Sequence, residues 1–273
     1  MMQVDGQTEI YGIMGDPVAH SLSPAMHNGA FAHLGMNRVY VPFPVKDVAA
    51  AMNGFRALNV KGVSVTIPHK QAVIDNLDEI DPVAEKIGAV NTLVINNGKI
   101  KGFNTDWLGA NRALEQELSL SGKKVLLLGA GGSARAIGFG LLEAGAEVII
   151  ASRTQSSGEA LAANLNCPWQ PLAEAGGIAA DALVNATSVG MGAQVENSLI
   201  AAQALGNFQV VMDIVYAPLE TRLLREARAA GCKTVDGLAM LLLQGVAQFE
   251  LWTGAKAPVE LMREKLLAGL ASR

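Results

Sequence analysis

Residues 124–135, Lys-Val-Leu-Leu-Leu-Gly-Ala-Gly-Gly-Ser-Ala-Arg, constrain the fold more than any other stretch of the chain. The unbroken apolar run over residues 125–128 is the pattern of a strand buried on both faces, as in a parallel sheet covered by helices. Gly129, Gly131 and Gly132 permit a tight turn with close backbone approach, and helix-forming sequence follows to about Ala144. The N–H groups of that helix's first turn, aided by its dipole, make a site for a phosphate. A second apolar strand over 147–151 completes the expected βαβ spacing, so the stretch reads as the phosphate-binding turn of a dinucleotide domain. The bland alternative is a plain strand-to-helix connection, and the third glycine of the usual fingerprint is Ala134 here. The cofactor contacts predicted from the turn are Gly129, Ala130, Gly131, Gly132, Ser133 and Ala134.

With 273 residues the chain has room for two domains, each with its own core. Half the residues are hydrophobic and 29 are glycine, which excludes a disordered chain and suits an α/β enzyme rich in tight turns. A net charge of -4 without any block of like charge argues against a nucleic-acid surface. Cys167 and Cys232 lie far apart without metal-ligand spacing, so no metal is expected and the thiols read as inert in a reducing, cytoplasmic setting. No apolar run approaches membrane-spanning length, and the start of the chain, with Asp5 and Glu9, does not read as a signal peptide. A small-molecule partner is expected, with neither nucleic acid nor membrane.

The chain opens with a strand over 8–14, and a helix starts at Ser23-Pro24 with Ser23 as its N-cap. Capping is the favoured role for Ser23 but leaves Ser21 unexplained, and two hydroxyls beside a helix N-terminus could also grip a carboxylate. A strand over 38–42, a helix over 47–58 capped by Asp47 and a strand over 62–67 follow, ending in Val65-Thr66-Ile67-Pro68-His69-Lys70. Ligands collect at such carboxyl ends, although a lysine there is more often a solvated charge and His69 reads as a packing or surface residue. Asp81-Pro82 caps a short helix, and residues 90–96 and 99–104 form a hairpin around Asn97-Gly98. Asn91 stands at its start and Asn104-Thr105-Asp106 at its end, with Asp106 as N-cap of a helix over 107–118.

Ser152-Arg153-Thr154 lies about 20 residues past the glycines, where an acid selects NAD and an arginine the 2′-phosphate of NADP. There is no acid and there is Arg153, which favours NADP unless Arg153 is only a surface charge. Strands over 181–186 and 209–215 end at Thr187-Ser188 and at Tyr216, beside the expected nicotinamide position. A helix over 219–230 and a short strand over 233–235 complete the second domain, and a long helix runs from Gly237 to about Trp252. Gln244 stands in that apolar helix, where its amide needs a backbone or ligand partner. A last amphipathic helix over 259–270 is expected to return to the first domain.

With these residues placed, the chain resembles the shikimate dehydrogenase family nearly end to end. The resemblance rests on Ser21-Leu22-Ser23-Pro24, Val65-Thr66-Ile67-Pro68-His69-Lys70, Gly88-Ala89-Val90-Asn91-Thr92, Asn104-Thr105-Asp106-Trp107, the glycine turn, Asn185-Ala186-Thr187-Ser188, and Asp236-Gly237-Leu238 with Gln244. It implies an N-terminal α/β substrate domain with a mainly parallel sheet, a Rossmann-type NADP domain, and C-terminal helices returning to the first, with boundaries at 1–106, 107–236 and 237–273. It implies that Ser21 and Ser23 hold the substrate carboxylate, reversing the capping preference for Ser23. Thr66, Asn91, Asp106 and Gln244 would then bind ring hydroxyls, with Tyr216 in the substrate set, and Lys70 with Asp106 would perform the proton chemistry. Ser152, Arg153, Thr154, Thr187, Ser188, Ile214 and Gly237 join the cofactor set. The implied reaction is the NADPH-dependent reduction of 3-dehydroshikimate to shikimate by a monomer or homodimer. Many NADP-dependent members carry asparagine before the arginine and a basic residue four positions after it; Ser152 and Ser157 stand there, which leaves NAD as a weaker cofactor. A relaxed paralogue acting on quinate or an aminated analogue, a folate-type methylene dehydrogenase and a non-catalytic dinucleotide sensor are the competing readings.

Overall fold

The computed structural model describes residues 4–272, which divide into two compact units. One holds the described residues through Thr105 and those from Gly245 onward; the other is continuous, from Asp106 to Gln244.

The first unit runs β1 (Glu9–Gly15), α1 (Ser23–His33), β2 (Arg38–Pro44), α2 (Val48–Ala57), β3 (Gly62–Val65), β4 (Glu79–Ile80), α3 (Pro82–Ile87), β5 (Thr92–Asn96) and β6 (Lys99–Phe103). Its sheet has the order β2-β1-β3-β5-β6-β4, with β5 antiparallel to both neighbours and the other pairs parallel. Asp47 and Asp81 cap α2 and α3 as predicted, accepting from the Ala50 N–H at 3.0 Å and from the Val83 N–H at 3.0 Å. Asn97 and Gly98 both take positive φ at the hairpin tip, as a type I′ turn requires. Met14, Met52, Val63, Val90, Leu93 and Ile100 form the core on one side.

The second unit runs α4 (Asp106–Leu114), β7 (Lys124–Leu128), α5 (Gly132–Glu143), β8 (Glu147–Ser152), α6 (Gln155–Leu165), β9 (Trp169–Pro171), β10 (Ala182–Asn185), α7 (Ala202–Leu205), β11 (Val210–Asp213), α8 (Arg222–Ala229) and β12 (Lys233–Val235). All its strand pairs are parallel, in the order β12-β11-β10-β7-β8-β9. Counted within the unit, this is the Rossmann order, with the reversal between β7 and β10. Leu126, Leu128, Leu183, Val211 and Leu224 fill the core on one face. Helix α9 (Gly237–Thr253) begins in this unit, and its residues from Gly245 belong to the first, with α10 (Val259–Ala271). Within the first unit α10 packs on α1.

The structure corrects three local expectations. Ser23 does not cap α1: Leu22 occupies the cap position, no side chain caps there, and Ser23 is already helical. Helix α4 starts at Asp106 and stops at Leu114 instead of running from 107 to 118. Helix α8 starts at Arg222, not near 219, because the Thr221 hydroxyl accepts the Leu224 N–H at 3.3 Å and fixes the helix start.

Candidate active site

In the first unit the strand register brings four segments to one end of the sheet. Met14 of β1 lies beside Val65 of β3, Ser64 opposite Thr92 of β5, and Thr92 opposite Phe103 of β6. Residues 21–23, 66–70, 91 and 104–105 therefore leave or enter the sheet at a common edge, the carboxyl end of β1 and β3 where ligands bind in such sheets. Backbone hydrogen bonds hold that edge: Thr66 N–H donates to the Met14 carbonyl at 2.9 Å, Val65 N–H to the Asn91 carbonyl at 2.7 Å, and Val90 N–H to the Lys70 carbonyl at 2.8 Å. His69 is buried, with Nε2 2.7 Å from the Val45 carbonyl, so it packs as expected and pins the turn that carries Lys70. Asn91 is buried; its Nδ2 donates to Thr105 Oγ1 at 3.0 Å while its Oδ1 accepts from the Thr105 N–H at 2.8 Å and the Thr92 hydroxyl at 2.7 Å. Ser21 Oγ accepts the Ser23 N–H at 3.2 Å, and Ser23 is buried.

Behind this edge runs a buried polar chain that sequence reasoning missed. The Tyr40 hydroxyl donates to Ser64 Oγ at 2.6 Å, Ser64 donates to Gln248 Oε1 at 2.8 Å, and Gln248 Nε2 donates to the Asn91 carbonyl at 3.1 Å and to Thr92 Oγ1 at 2.9 Å. Burial holds the Tyr40 phenol well above its ordinary range. The available signal was a second glutamine one helical turn after Gln244 in the same apolar run, because a buried amide must find partners.

His27 lies inside the same unit, fully buried and stacked on Tyr40 with ring centroids 4.6 Å apart. Neither ring nitrogen has a hydrogen-bond partner; the neighbouring Gln248 amide, which favours the charged ring, is already engaged by Ser64, Asn91 and Thr92. Burial pushes the imidazole down to about 3 from 6.5. A depressed histidine is neutral when folded and takes its proton on unfolding. Its contribution is therefore present above the ordinary value and lost as pH falls through the window from 6.5 toward 3. The slope is about 1.4 kcal/mol per pH unit, or about 2 kcal/mol lost by about pH 5. His27→Phe is expected to flatten that acid limb in thermal melts recorded between about pH 7 and about pH 5; an unchanged limb would assign the acid sensitivity elsewhere.

In the second unit the glycine turn follows β7 at the reversal of strand order, the ligand position of such sheets. Gly129 has φ +115, and a Cβ there would stand 2.9 Å from the Thr187 methyl. Gly131 occupies the N-cap of α5 and brings no side chain to it, which leaves room for an anion at the helix start. Gly132, Ser133 and Ala134 form the first turn of α5, with Ala130 just before it. The turn after β10 is set by Asn185, whose Oδ1 accepts the Thr187 N–H at 3.1 Å and the Thr187 hydroxyl at 2.7 Å; Val189 N–H then donates to Thr187 Oγ1 at 3.1 Å. Ser188 rides on this turn. Gly237 begins α9 directly against the Ile214 carbonyl, where any Cβ would collide with backbone, so the structure brings the Ile214 and Gly237 pair together. Tyr216 is half-buried just past β11, Asp106 is buried in the first turn of α4, and the Gln244 amide donates to the Leu241 carbonyl at 2.8 Å.

At the end of β8, Arg153 and Thr154 are exposed while Ser152 is buried. The Ser152 hydroxyl donates to the Thr154 carbonyl at 3.0 Å and accepts from Trp169 Nε1 at 2.9 Å, so it is turned into the protein. No carboxylate occurs at 152–154. Among the described residues no group of His, Cys, Asp and Glu could hold a metal ion, and no helix is long and apolar enough to cross a membrane.

A Rossmann-ordered sheet opened by this glycine turn, carried with a second α/β unit that presents a lysine at a strand end, defines a nucleotide-dependent dehydrogenase of two units. Residues 13–93 match the shikimate dehydrogenase substrate-binding domain, residues 110–215 the shikimate/quinate 5-dehydrogenase domain, and residues 237–267 the shikimate 5′-dehydrogenase C-terminal domain. The chain belongs to the shikimate dehydrogenase family. It is 45% identical to a shikimate dehydrogenase (NADP(+)) of Pyrococcus furiosus, covering 99% of both chains. A Thermus thermophilus shikimate 5-dehydrogenase solved with NADP(H) and shikimate superposes with TM-score 0.89 at 40% identity, covering 96% of this chain and 100% of that one. A Corynebacterium glutamicum quinate dehydrogenase solved with NAD gives TM-score 0.89 at 33% identity over 96% and 99% of the two chains.

Proposed function

We propose that the protein catalyses the reversible reduction of 3-dehydroshikimate to shikimate with NADPH, a step of aromatic amino acid biosynthesis, in the cytoplasm and as a monomer or homodimer without nucleic-acid partners. The observation that carries this reading is the end-to-end identity with NADP(+)-dependent shikimate dehydrogenase. The first unit supplies Ser21, Ser23, Thr66, Lys70 and Asn91 to substrate binding and chemistry, and the second binds the dinucleotide and supplies Asp106, Tyr216 and Gln244. The residues present fit that cofactor: a side-chain-free helix start for its pyrophosphate and an exposed Arg153, with no competing acid, for its 2′-phosphate. Bound NADPH supplies the hydride that reduces the ketone carbon.

Ser21 and Ser23 hold the substrate carboxylate, and Thr66, Asn91, Gln244 and Tyr216 bind its hydroxyls. Recognition through neutral donors and acceptors makes each missing hydroxyl costly, because a buried partner is left unpaired. Lys70 donates the proton that the new alkoxide needs and, as a fixed cation, stabilises the charge while it develops. In the oxidative direction the same group takes that proton back, and Asp106 shares in the proton chemistry.

One observation favours a looser cofactor choice. The inward-turned Ser152 hydroxyl leaves Arg153 without help from 152, and Ser157 carries no charge. The test is the initial rate of NADPH formation from shikimate and NADP+, repeated with quinate and with NAD+. The expected result is a rate with shikimate and NADP+ about tenfold or more above either alternative, and Arg153→Ala raising KM for NADP+ by about tenfold or more with KM for NAD+ little changed. Equal rates with quinate or NAD+ would make this a relaxed relative, and no turnover on either substrate would overturn the enzyme reading.

A further inference from the structure

Asp213 ends β11 with no exposed surface. Its partners are all donors: Asn185 Nδ2 to Oδ1 at 2.9 Å, Val215 N–H to Oδ1 at 3.0 Å, and Thr221 Oγ1 to Oδ2 at 2.7 Å. A carboxylate is the side chain that accepts all three without presenting a hydrogen of its own. Each donor controls a different segment. Asn185, its register partner on β10, shapes the turn that lays Thr187 against Gly129. Val215 fixes the turn between Ile214 and Tyr216, and Ile214 lies against Gly237. Thr221 caps α8.

We propose that Asp213 is a positioning residue: through Asn185 and Val215 it sets the two strand-end turns that form the nicotinamide-side wall of the dinucleotide site, an inference that rests on the NADP reading above. Two adjacent parallel strands deliver their turns to the switch point of the sheet, and one buried carboxylate bridges both. Burial pushes the Asp213 carboxyl up to about 6, a cost that an apolar residue at this position would avoid and that the three donors explain.

The experiment compares two probes on the full chain. NADPH spans the whole site, whereas adenosine 2′,5′-bisphosphate occupies only the Arg153 half. Asp213→Ala is expected to weaken NADPH about tenfold or more while leaving the bisphosphate within about twofold. Asp213→Asn, which keeps one carbonyl oxygen toward Asn185 and Val215, should restore NADPH binding to within about threefold of the unaltered protein. Should Asp213→Ala not fold, Asn185→Leu cuts the bridge from its other end and is expected to give the same split. Equal weakening of both probes, or unaltered NADPH binding in either disruptive variant, would overturn the positioning role. If the unaltered protein bound neither probe, the nucleotide reading would fall and this inference with it.

Discussion

Lys70→Ala is expected to lower kcat by about three orders of magnitude, on the order of 4 kcal/mol of transition-state stabilisation, with KM for shikimate changed by less than about threefold. The asymmetry follows from what the lysine does. On the proposed assignment the hydroxyls and amides would hold the substrate equally in ground and transition states, whereas the ammonium would meet a full negative charge only as the alkoxide forms. Removing it therefore takes away an interaction that strengthens along the reaction. The turn that carries it is held independently, by the Val90 N–H on the Lys70 carbonyl and by His69 on Val45, so the alanine variant should keep its fold. Steady-state kinetics in both directions make the check. A large rise in KM at unchanged kcat would move Lys70 from chemistry to binding.

Gln248→Leu carries the second largest expected effect, and on a different quantity. Its amide satisfies the Ser64 hydroxyl, the Asn91 carbonyl and the Thr92 hydroxyl, all buried. An apolar replacement takes one hydrogen bond from each of these groups without rehydrating them, where a group left wholly unpaired would cost about 1–3 kcal/mol. Because Ser64, Thr92 and the Asn91 carbonyl each keep another bond, the total should come to about 2 kcal/mol, or a fall in Tm of about 5 °C. Gln248→Glu places an acid in the same space and should be worse at neutral pH than at acid pH, since a buried carboxylate there meets acceptors as well as donors. Melting curves at two pH values separate loss of packing from loss of this network, and an intact Tm in Gln248→Leu would mean that the network carries no stability.

The parallel second sheet was legible from residues 124–135 and the runs that follow because buried strands in such sheets are continuously apolar. Strand β9 was not. It is three residues long, follows Pro168 and ends in Pro171, and proline demotes a run to an edge, where the structure places it beside β8 alone. Strand β4, two residues long, is too short to show any alternation. In the first unit, Lys70 and Asn91 could be placed near strand ends, but the meeting of those ends depends on β5 running against β3, a register that no single segment encodes. Ser23 shows the opposite failure. Its local pattern with Pro24 fits an N-cap, yet the residue is helical and buried, and Leu22 takes the cap position. A sound local rule missed the helix start by one residue.

The order in which the two units receive their residues during synthesis follows from the division of the chain. The continuous unit, 106–244, has all its strands once Gln244 leaves the ribosome, and can close its own core. The other unit emerges first yet finishes last. Its first 105 residues wait with the places of Gln248, Phe249 and Trp252 unfilled, and Trp252 is the residue whose indole N–H bonds the Leu93 carbonyl at 3.0 Å. A released fragment ending at Gln244 should therefore carry one protease-resistant unit and one left open, and completion of the sheet that bears Lys70 waits for the residues after 244.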